Sequence, residues 1–221
     1  AFAADPDYDA PADADTDNVY VVTVLVDDGT DDDANGATTL TITVTDQNDQ
    51  TPVYQAADAD DAISVAENFG TGTIDAGTIT DADTGNTFGC TLGGADAADF
   101  ACTISGSTVN LAFAADPDFE SPVDADTNNV YVVSVHVDDG VASDANGVTT
   151  LTITVTDQND QTPVYQAADA DDAISVAENF GTGTIDAGTI SGVDSVDTLG
   201  CTLGGADAAD FACTISGSTL N

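Results

Sequence analysis

The nine residues DQNDQTPVY occur at 46–54 and again at 157–165, and the offset of 111 residues holds along the whole chain without a gap. Residues 38–79 and 149–190 are identical, as are 89–108 and 200–219. A period this long means tandem modules, each a copy of one fold. A length of 111 residues suits one all-β sandwich.

The patterning within a period agrees. Leu151-Thr-Ile-Thr-Val155 alternates strictly, placing Leu151, Ile153 and Val155 on one face of a strand, and Tyr131, Val133, Val135 and Val137 do the same one strand earlier. Ala62–Glu67 is a weaker strand. Asp-Gly at 139–140, Asn-Gly at 146–147 and Gly-Gly at 93–94 and 204–205 supply turns. No stretch of ten or more residues carries a 3.6-residue apolar stripe, although 95–100 suits a single helical turn. Pro52 and Pro163 lie two residues beyond the acidic runs and read as module starts. The expected organisation is therefore the C-terminal portion of a module at 1–50, a complete module at 51–161 and the N-terminal portion of a module at 162–221.

Composition narrows the function. A chain of this length ordinarily carries roughly 25 Lys and Arg; this one has none, against 41 Asp and Glu. Nucleic-acid binding lacks its phosphate contacts, anionic membrane surfaces repel the chain, and lysine or arginine chemistry is impossible. Trypsin-like proteases have no cleavage site, which suits an exposed extracellular life. The balancing charge has to come from outside, most simply as metal ions. Hydrophobic residues at 42% and ordered in period-2 runs argue against disorder. No apolar run reaches the length of a membrane span, so no membrane insertion is expected in this segment. Residue 1 is Ala and no signal peptide is present, which reads as a mature protein or an internal piece of a longer one.

The four cysteines, at 90, 102, 201 and 213, give one pair per repeat. Zinc is disfavoured because there is no CxxC knuckle and the one histidine lies elsewhere. Phe88, Cys90 and Leu92 share one strand parity, and Phe100, Cys102 and Ile104 share another, so both thiols point with apolar neighbours toward a core. A disulfide formed in an oxidising compartment is the preferred reading, with buried free thiols as the alternative.

These pieces, in order, resemble the cadherin repeat, particularly its bacterial form in large surface proteins. The matching residues are Ala66-Glu67-Asn68, Asp81-Ala-Asp83, the GGADAADF run, Pro117-Asp-Phe-Glu120, Asn129-Val-Tyr131, the Asp138-Asp-Gly140 turn, and Asp157-Gln-Asn-Asp160 before Pro163. The resemblance implies an all-β fold of tandem Greek-key β-sandwich modules, cadherin- or immunoglobulin-like, with calcium-binding linkers. Calcium takes six to eight oxygen ligands, more than one strand end supplies. A base, a linker and the top of the next module can supply them together.

For the junction after the complete module, the resemblance implies ligands Glu67, Asp118 and Glu120 from the base. Asp157, Asn159 and Asp160 come from the linker, with carbonyls of Gln158 and Gln161, and Asp194 comes from beyond it. For the earlier junction it implies Asp7 and Asp9, linker residues Asp46, Asn48 and Asp49, then Asp81, Asp83 and Asp139. Asp9 stands where Glu120 stands and reaches less far. Gly192 stands where Asp81 stands, so the later junction is expected to hold calcium more weakly, and Gly192→Asp to restore it.

Other acidic runs read more simply. Asp31-Asp-Asp33 and Asp58-Ala-Asp-Asp61 look like solvated surface. Asp13-Ala-Asp-Thr-Asp17 opens like a calcium loop but lacks the glycine and distal glutamate of an EF-hand. His136 has outward parity and no nucleophile placed with it, and no aromatic sugar platform accompanies the carboxylates, so no enzyme activity is expected.

The resulting expectation is an extracellular or cell-surface, calcium-rigidified repeat protein, with calcium as its one cofactor. It would form a filament, stalk or adhesin shaft through head-to-tail modules, as a continuous array or as a polymer of itself. The alternative is an adhesion module that binds a protein or glycan partner. Residues 162–221 and 1–50 together make 110 of the 111 positions of one module, lacking only the counterpart of Leu111.

Overall fold

In the computed structural model, residues 1–30, 36–58 and 60–221 are described. The Asp31-Asp-Asp33 run and Ala59 of the second acidic run lie outside the described residues. Among the described residues strands alternate with turns and irregular segments, and helix is confined to short 3-10 turns. Its strands are β1 Val19–Val24, β2 Thr38–Thr43, β3 Val53–Ala56, β4 Ala62–Ala66, β5 Thr73–Thr80, β6 Gly89–Gly93, β7 Phe100–Ser105, β8 Thr108–Phe113, β9 Val130–Asp138 and β10 Thr149–Thr156. They continue with β11 Val164–Ala167, β12 Gly188–Ser191, β13 Ile215–Ser216 and β14 Thr219–Leu220. The single helical turn expected at 95–100 is a 3-10 turn at Ala97–Asp99, repeated at Ala208–Asp210. No helix among the described residues is long and apolar enough to cross a membrane.

The strands order into four sheets: β4-β10-β9-β6, β3-β5-β8-β7, β11-β12-β14-β13 and the β1-β2 hairpin. The chain divides into two compact units. The first comprises Ala1–Ile63, Thr71–Ala115 and Tyr131–Ile153, and the second Ser64–Gly70, Asp116–Val130 and Thr154–Asn221.

In the first unit the inward parity is as expected. Tyr131, Val133, Val135 and Val137 of β9 are buried, as are Leu151 and Ile153 of β10. The other sheet supplies Tyr54, Ile74, Ala76, Ile79, Val109, Leu111 and Phe113. Fully burying a side chain of this kind contributes about 1.5–3 kcal/mol, so this two-sheet core holds most of the stabilising apolar area. Its aromatic centre is a ring trio: Phe100 and Phe113 lie 4.5 Å apart, and each meets Tyr131 edge-on at 5.6 and 5.4 Å. A disulfide joins Cys90 of β6 to Cys102 of β7, fastening one sheet to the other. It contributes about 3 kcal/mol on the chain-entropy account. At the bulge between Asp75 and Gly77 the backbone runs so close to β3 that a Cβ on Gly77 would lie 2.1 Å from the Gln55 carbonyl oxygen; only glycine fits.

The second unit repeats the local details. β11 pairs with β12 from Val164↔Ser191 to Ala167↔Gly188, the register that β3 and β5 adopt from Val53↔Thr80 to Ala56↔Gly77. Cys201 and Cys213 form the second disulfide. Val65 and Val155 are buried in this unit, but Tyr165, Val176, Leu203 and Phe211 are exposed.

Candidate metal centres

Two carboxylate-rich clusters sit at the two DQND segments, one in each unit. In the first unit, residues 46–50 follow β2 and run past the loop after β5. Asp83 is 7% exposed and its Oδ2 accepts the Asp49 and Gln50 N–H groups at 3.0 and 2.8 Å. Asp46 Oδ2 accepts the Thr84 N–H at 2.6 Å and the Thr84 hydroxyl. Asn48 donates from Nδ2 to the Asp139 carbonyl at 3.0 Å. These bonds fix the linker against the loops and leave one oxygen of each side chain turned elsewhere. Asp46 Oδ1, Asn48 Oδ1, Asp83 Oδ1 and Asp139 Oδ2 are buried with no donor. The structure draws together Asp9, Asp46 and Asp83, and also Asp81, Asp83 and Asp139, with Asp83 common to both. Asp7 instead closes its own turn, accepting the Asp9 and Ala10 N–H groups, and Asp49 accepts from the Gln50 amide.

The second unit repeats the plan. Glu67 is 3% exposed and uses both oxygens on the backbone, accepting Phe119 N–H at 2.8 Å and Gln158 N–H at 2.6 Å. Glu67 groups with Asp118 and Glu120, and Glu120 groups with Asp160 and Asp194. Asp194, 2% exposed, accepts the Gln161 N–H, as Asp83 does at the first cluster. Asp157 Oδ2 accepts from the Ser195 N–H and hydroxyl, while its Oδ1 is buried without a donor. Asp160 accepts Asn68 Nδ2, and Asn159 donates to Asp197.

The charges act on one another. Partial desolvation, then repulsion from Glu67, Asp157 and Asp194, pushes Glu120 up to about 7. Desolvation, followed by Asp83, Asp46, Asp49 and Asp7, raises Asp9. Asp46 is held low by the Thr84 hydroxyl and N–H. Buried carboxylates need a countercharge. The chain has no Lys or Arg to supply it, and the donor sets are all oxygen, the chemistry of a hard divalent cation.

Asp13, Asp15 and Asp17 also come together, but Asp13 is occupied as a turn acceptor for the Asp17 and Asn18 N–H groups, and Asp124 does the same for Asn128 and Asn129.

Two details went unread in the sequence. Gly192 has φ +64°, and a Cβ there would stand 2.7 Å from the Thr162 carbonyl oxygen. An aspartate therefore does not fit that backbone unchanged, and the expected rescue by Gly192→Asp is blocked sterically. Asp197 stands where the first repeat has Asn86, and it accepts the Asp194 N–H as Asp81 accepts the Asp83 N–H in the first repeat. Asn86 donates to Asp81 Oδ2, whereas Asp197 accepts from Asn159 and from the Asp194 N–H. The signal was present as two exchanges at once, Asp81 to Gly192 and Asn86 to Asp197.

No family model matches the sequence, and no curated protein matches it. Solved structures do. The chain aligns with the PcdhgB3 EC1-4 structure at a TM-score of 0.53 and 21% identity, over 96% of this chain and 49% of that one. It aligns with human CDH23 EC21-23 at a TM-score of 0.50 and 19% identity, over 84% of this chain and 56% of that one. The chain thus spans about half the length of each. Likeness at these identities shows the fold alone: the chain is built of cadherin-like β-sandwich repeats.

Proposed function

We propose that the chain is a section of an extracellular tandem-repeat shaft whose junctions are stiffened by calcium. The observation that carries this reading is the recurrence, 111 residues apart, of a linker clamped by matching hydrogen bonds beside buried carboxylate oxygens that no group in the chain neutralises. At the first junction Asp9, Asp46, Asn48, Asp81, Asp83 and Asp139 would hold the ion, with Asp7 and Asp49 at the rim. At the second, Glu67, Asp118, Glu120, Asp157, Asn159, Asp160 and Asp194 would hold it, with Asp197 supplying the charge that Gly192 lacks. Calcium supplies a shared positive centre that turns repulsion between carboxylates into attraction. The protein's part is to hold the carboxylates in place from the backbone, Asp83 by one oxygen through the Asp49 and Gln50 N–H groups, Glu67 by both through those of Phe119 and Gln158, and Asp194 through that of Gln161, so that little side-chain freedom remains to be lost on binding.

The two disulfides favour an oxidising, extracellular setting. Near-identical copies favour a spacer over a receptor, since a spacer needs copies and a binding site needs variation. The test is scattering and thermal melting with calcium and with a chelator. Calcium should raise the melting temperature and sharpen the scattering profile; identical curves in both conditions would refute the reading.

A further inference from the structure

We propose that Asn146 is a site of spontaneous deamidation, and that its acidic product unfastens a clasp by which the loop between β9 and β10 holds strand β3. None of the residues involved belongs to either carboxylate cluster.

The clasp is built from three consecutive residues. Asp144 Oδ1 accepts the Tyr54 N–H at 2.9 Å, the Ala145 N–H donates to the Pro52 carbonyl at 2.8 Å, and Asn146 donates from Nδ2 to the Tyr54 carbonyl at 3.0 Å. β3 is an edge strand, paired on one side with β5. The clasp satisfies the peptide groups that its other side leaves over. Tyr54 is 1% exposed and its hydroxyl donates to the Ala76 carbonyl at 2.7 Å, so whatever holds this stretch of backbone also holds a core ring.

The chemistry of the same turn works against it. Asn146 is exposed and is followed by Gly147, which has φ +78° and open space where a Cβ would stand, so no side chain shields its nitrogen. Asparagine before glycine is the pair in which the next backbone nitrogen attacks the side chain most readily. The Gly147 nitrogen bonds to Asn146 Cγ, the Cγ–Nδ2 bond breaks, and the amide nitrogen leaves as ammonia, taking up the Gly147 N–H proton. One water then opens the cyclic imide to aspartate or isoaspartate. In the closed clasp both reacting groups are engaged, Nδ2 with the Tyr54 carbonyl and the Gly147 N–H with the Asp144 carbonyl at 3.0 Å. The reaction therefore proceeds from the opened turn, and its product keeps the turn open. A carboxylate at 146 has no proton to donate to the Tyr54 carbonyl. It shares a turn with Asp144, whose Oδ1 takes the Asn146 N–H and whose Oδ2 is buried without a donor. No lysine or arginine exists in the chain to neutralise the added charge. Isoaspartate, in addition, lengthens the backbone path through the turn.

In the experiment the 221-residue chain is aged at mildly alkaline pH and Asn146 is followed by peptide mass, separately from the second Asn-Gly pair at 35–36. A synthetic peptide with the sequence of residues 142–150 sets the rate without a clasp. The folded chain should convert Asn146 several-fold more slowly than the peptide, and Asp144→Ala, which removes the acceptor for the Tyr54 N–H, should bring the rate up toward that of the peptide. Asn146→Asp, the aspartate product made directly, should speed hydrogen exchange at the Tyr54 N–H several-fold and lower the melting temperature. That variant keeps Asp144, so its exchange rate still decides the matter if Asp144→Ala does not fold. Equal rates in folded chain and peptide would overturn the proposal, as would no conversion in the folded chain once the peptide has converted fully. So would a folded Asp144→Ala that converts no faster than wild type, or an Asn146→Asp chain whose Tyr54 N–H exchanges as slowly as that of wild type.

Discussion

The β1-β2 hairpin and the β9-β10 pair have almost the same sequence and opposite surroundings. Val22 is 45% exposed and its counterpart Val133 is at 0%; Leu40 is 46% exposed and Leu151 is at 0%. Alternation alone therefore prepares a face for burial and does not bury it. β9 and β10 are covered because β3, β5, β7 and β8 fold over them as the second sheet. The hairpin has no such cover within its unit among the described residues. A two-stranded ribbon with one apolar face is marginal in water until something packs on it.

The comparison breaks most directly through one substitution made twice. Leu151→Ala opens a cavity in a closed core and should cost about 2–5 kcal/mol in denaturant unfolding. Leu40→Ala should cost under about 0.5 kcal/mol, as surface changes do. Equal costs would mean the hairpin is covered in solution.

The disulfides allow a second contrast. Replacing Cys90 and Cys102 with Ala should lower the stability of the two-sheet core they join by about 3 kcal/mol. The same change at Cys201 and Cys213 should leave the unfolding of that core unmoved, because neither residue lies in the two sheets that Cys90 and Cys102 join.

The pH profile sharpens the contrast at the clusters. Glu120 is raised from its ordinary 4.5 to about 7 in the fold. Between those values the folded chain keeps a proton that the unfolded chain has lost, so calcium-free stability should fall as pH rises through the window. Asp13, Asp46 and Asp124 are held low, so the slope should reverse below about pH 4, where stability is lost as pH falls. Glu120→Gln should flatten the upper limb of the calcium-free melting curve. A curve that rises between pH 5 and 7 would show that the repulsion around Glu120 is already relieved.

The smallest expected effect separates the two junctions. Asp197→Asn should weaken calcium binding at the second cluster several-fold in a titration, while Asn86→Asp should leave the first unchanged or slightly tighter. No change from Asp197→Asn would remove it from the ligand set.

The strands, their inward faces and both disulfides were legible because period-2 alternation and cysteine parity are local properties of the chain. So was the grouping of Asp81, Asp83 and Asp139 and of Glu67, Asp118 and Glu120, which the family-like motifs placed. The positive φ of Gly192 was not, because a glycine in an acidic loop does not declare which side of the Ramachandran map it uses. Nor was the hydrogen bonding of Asp197 to Asn159 and the Asp194 N–H, since it shows only when the exchange at 81 and 192 is read together with that at 86 and 197. The clamping by Thr84 and Ser195 was hidden for a similar reason: hydroxyl residues beside aspartates are common, and only the fold shows which of them donate.

The staple between β6 and β7 has a mechanical meaning. A chain drawn out by its ends lengthens by at most about 3.3–3.6 Å for each residue released. Cys90 and Cys102 are 12 residues apart, so roughly 40 Å of contour stays locked in each opened module until the bond is reduced. Because the bond joins the two sheets, a pull that peels off an outer strand still leaves them tethered. The oxidised chain would therefore give way in shorter steps than the reduced one, and its extensibility would depend on the redox state of its surroundings.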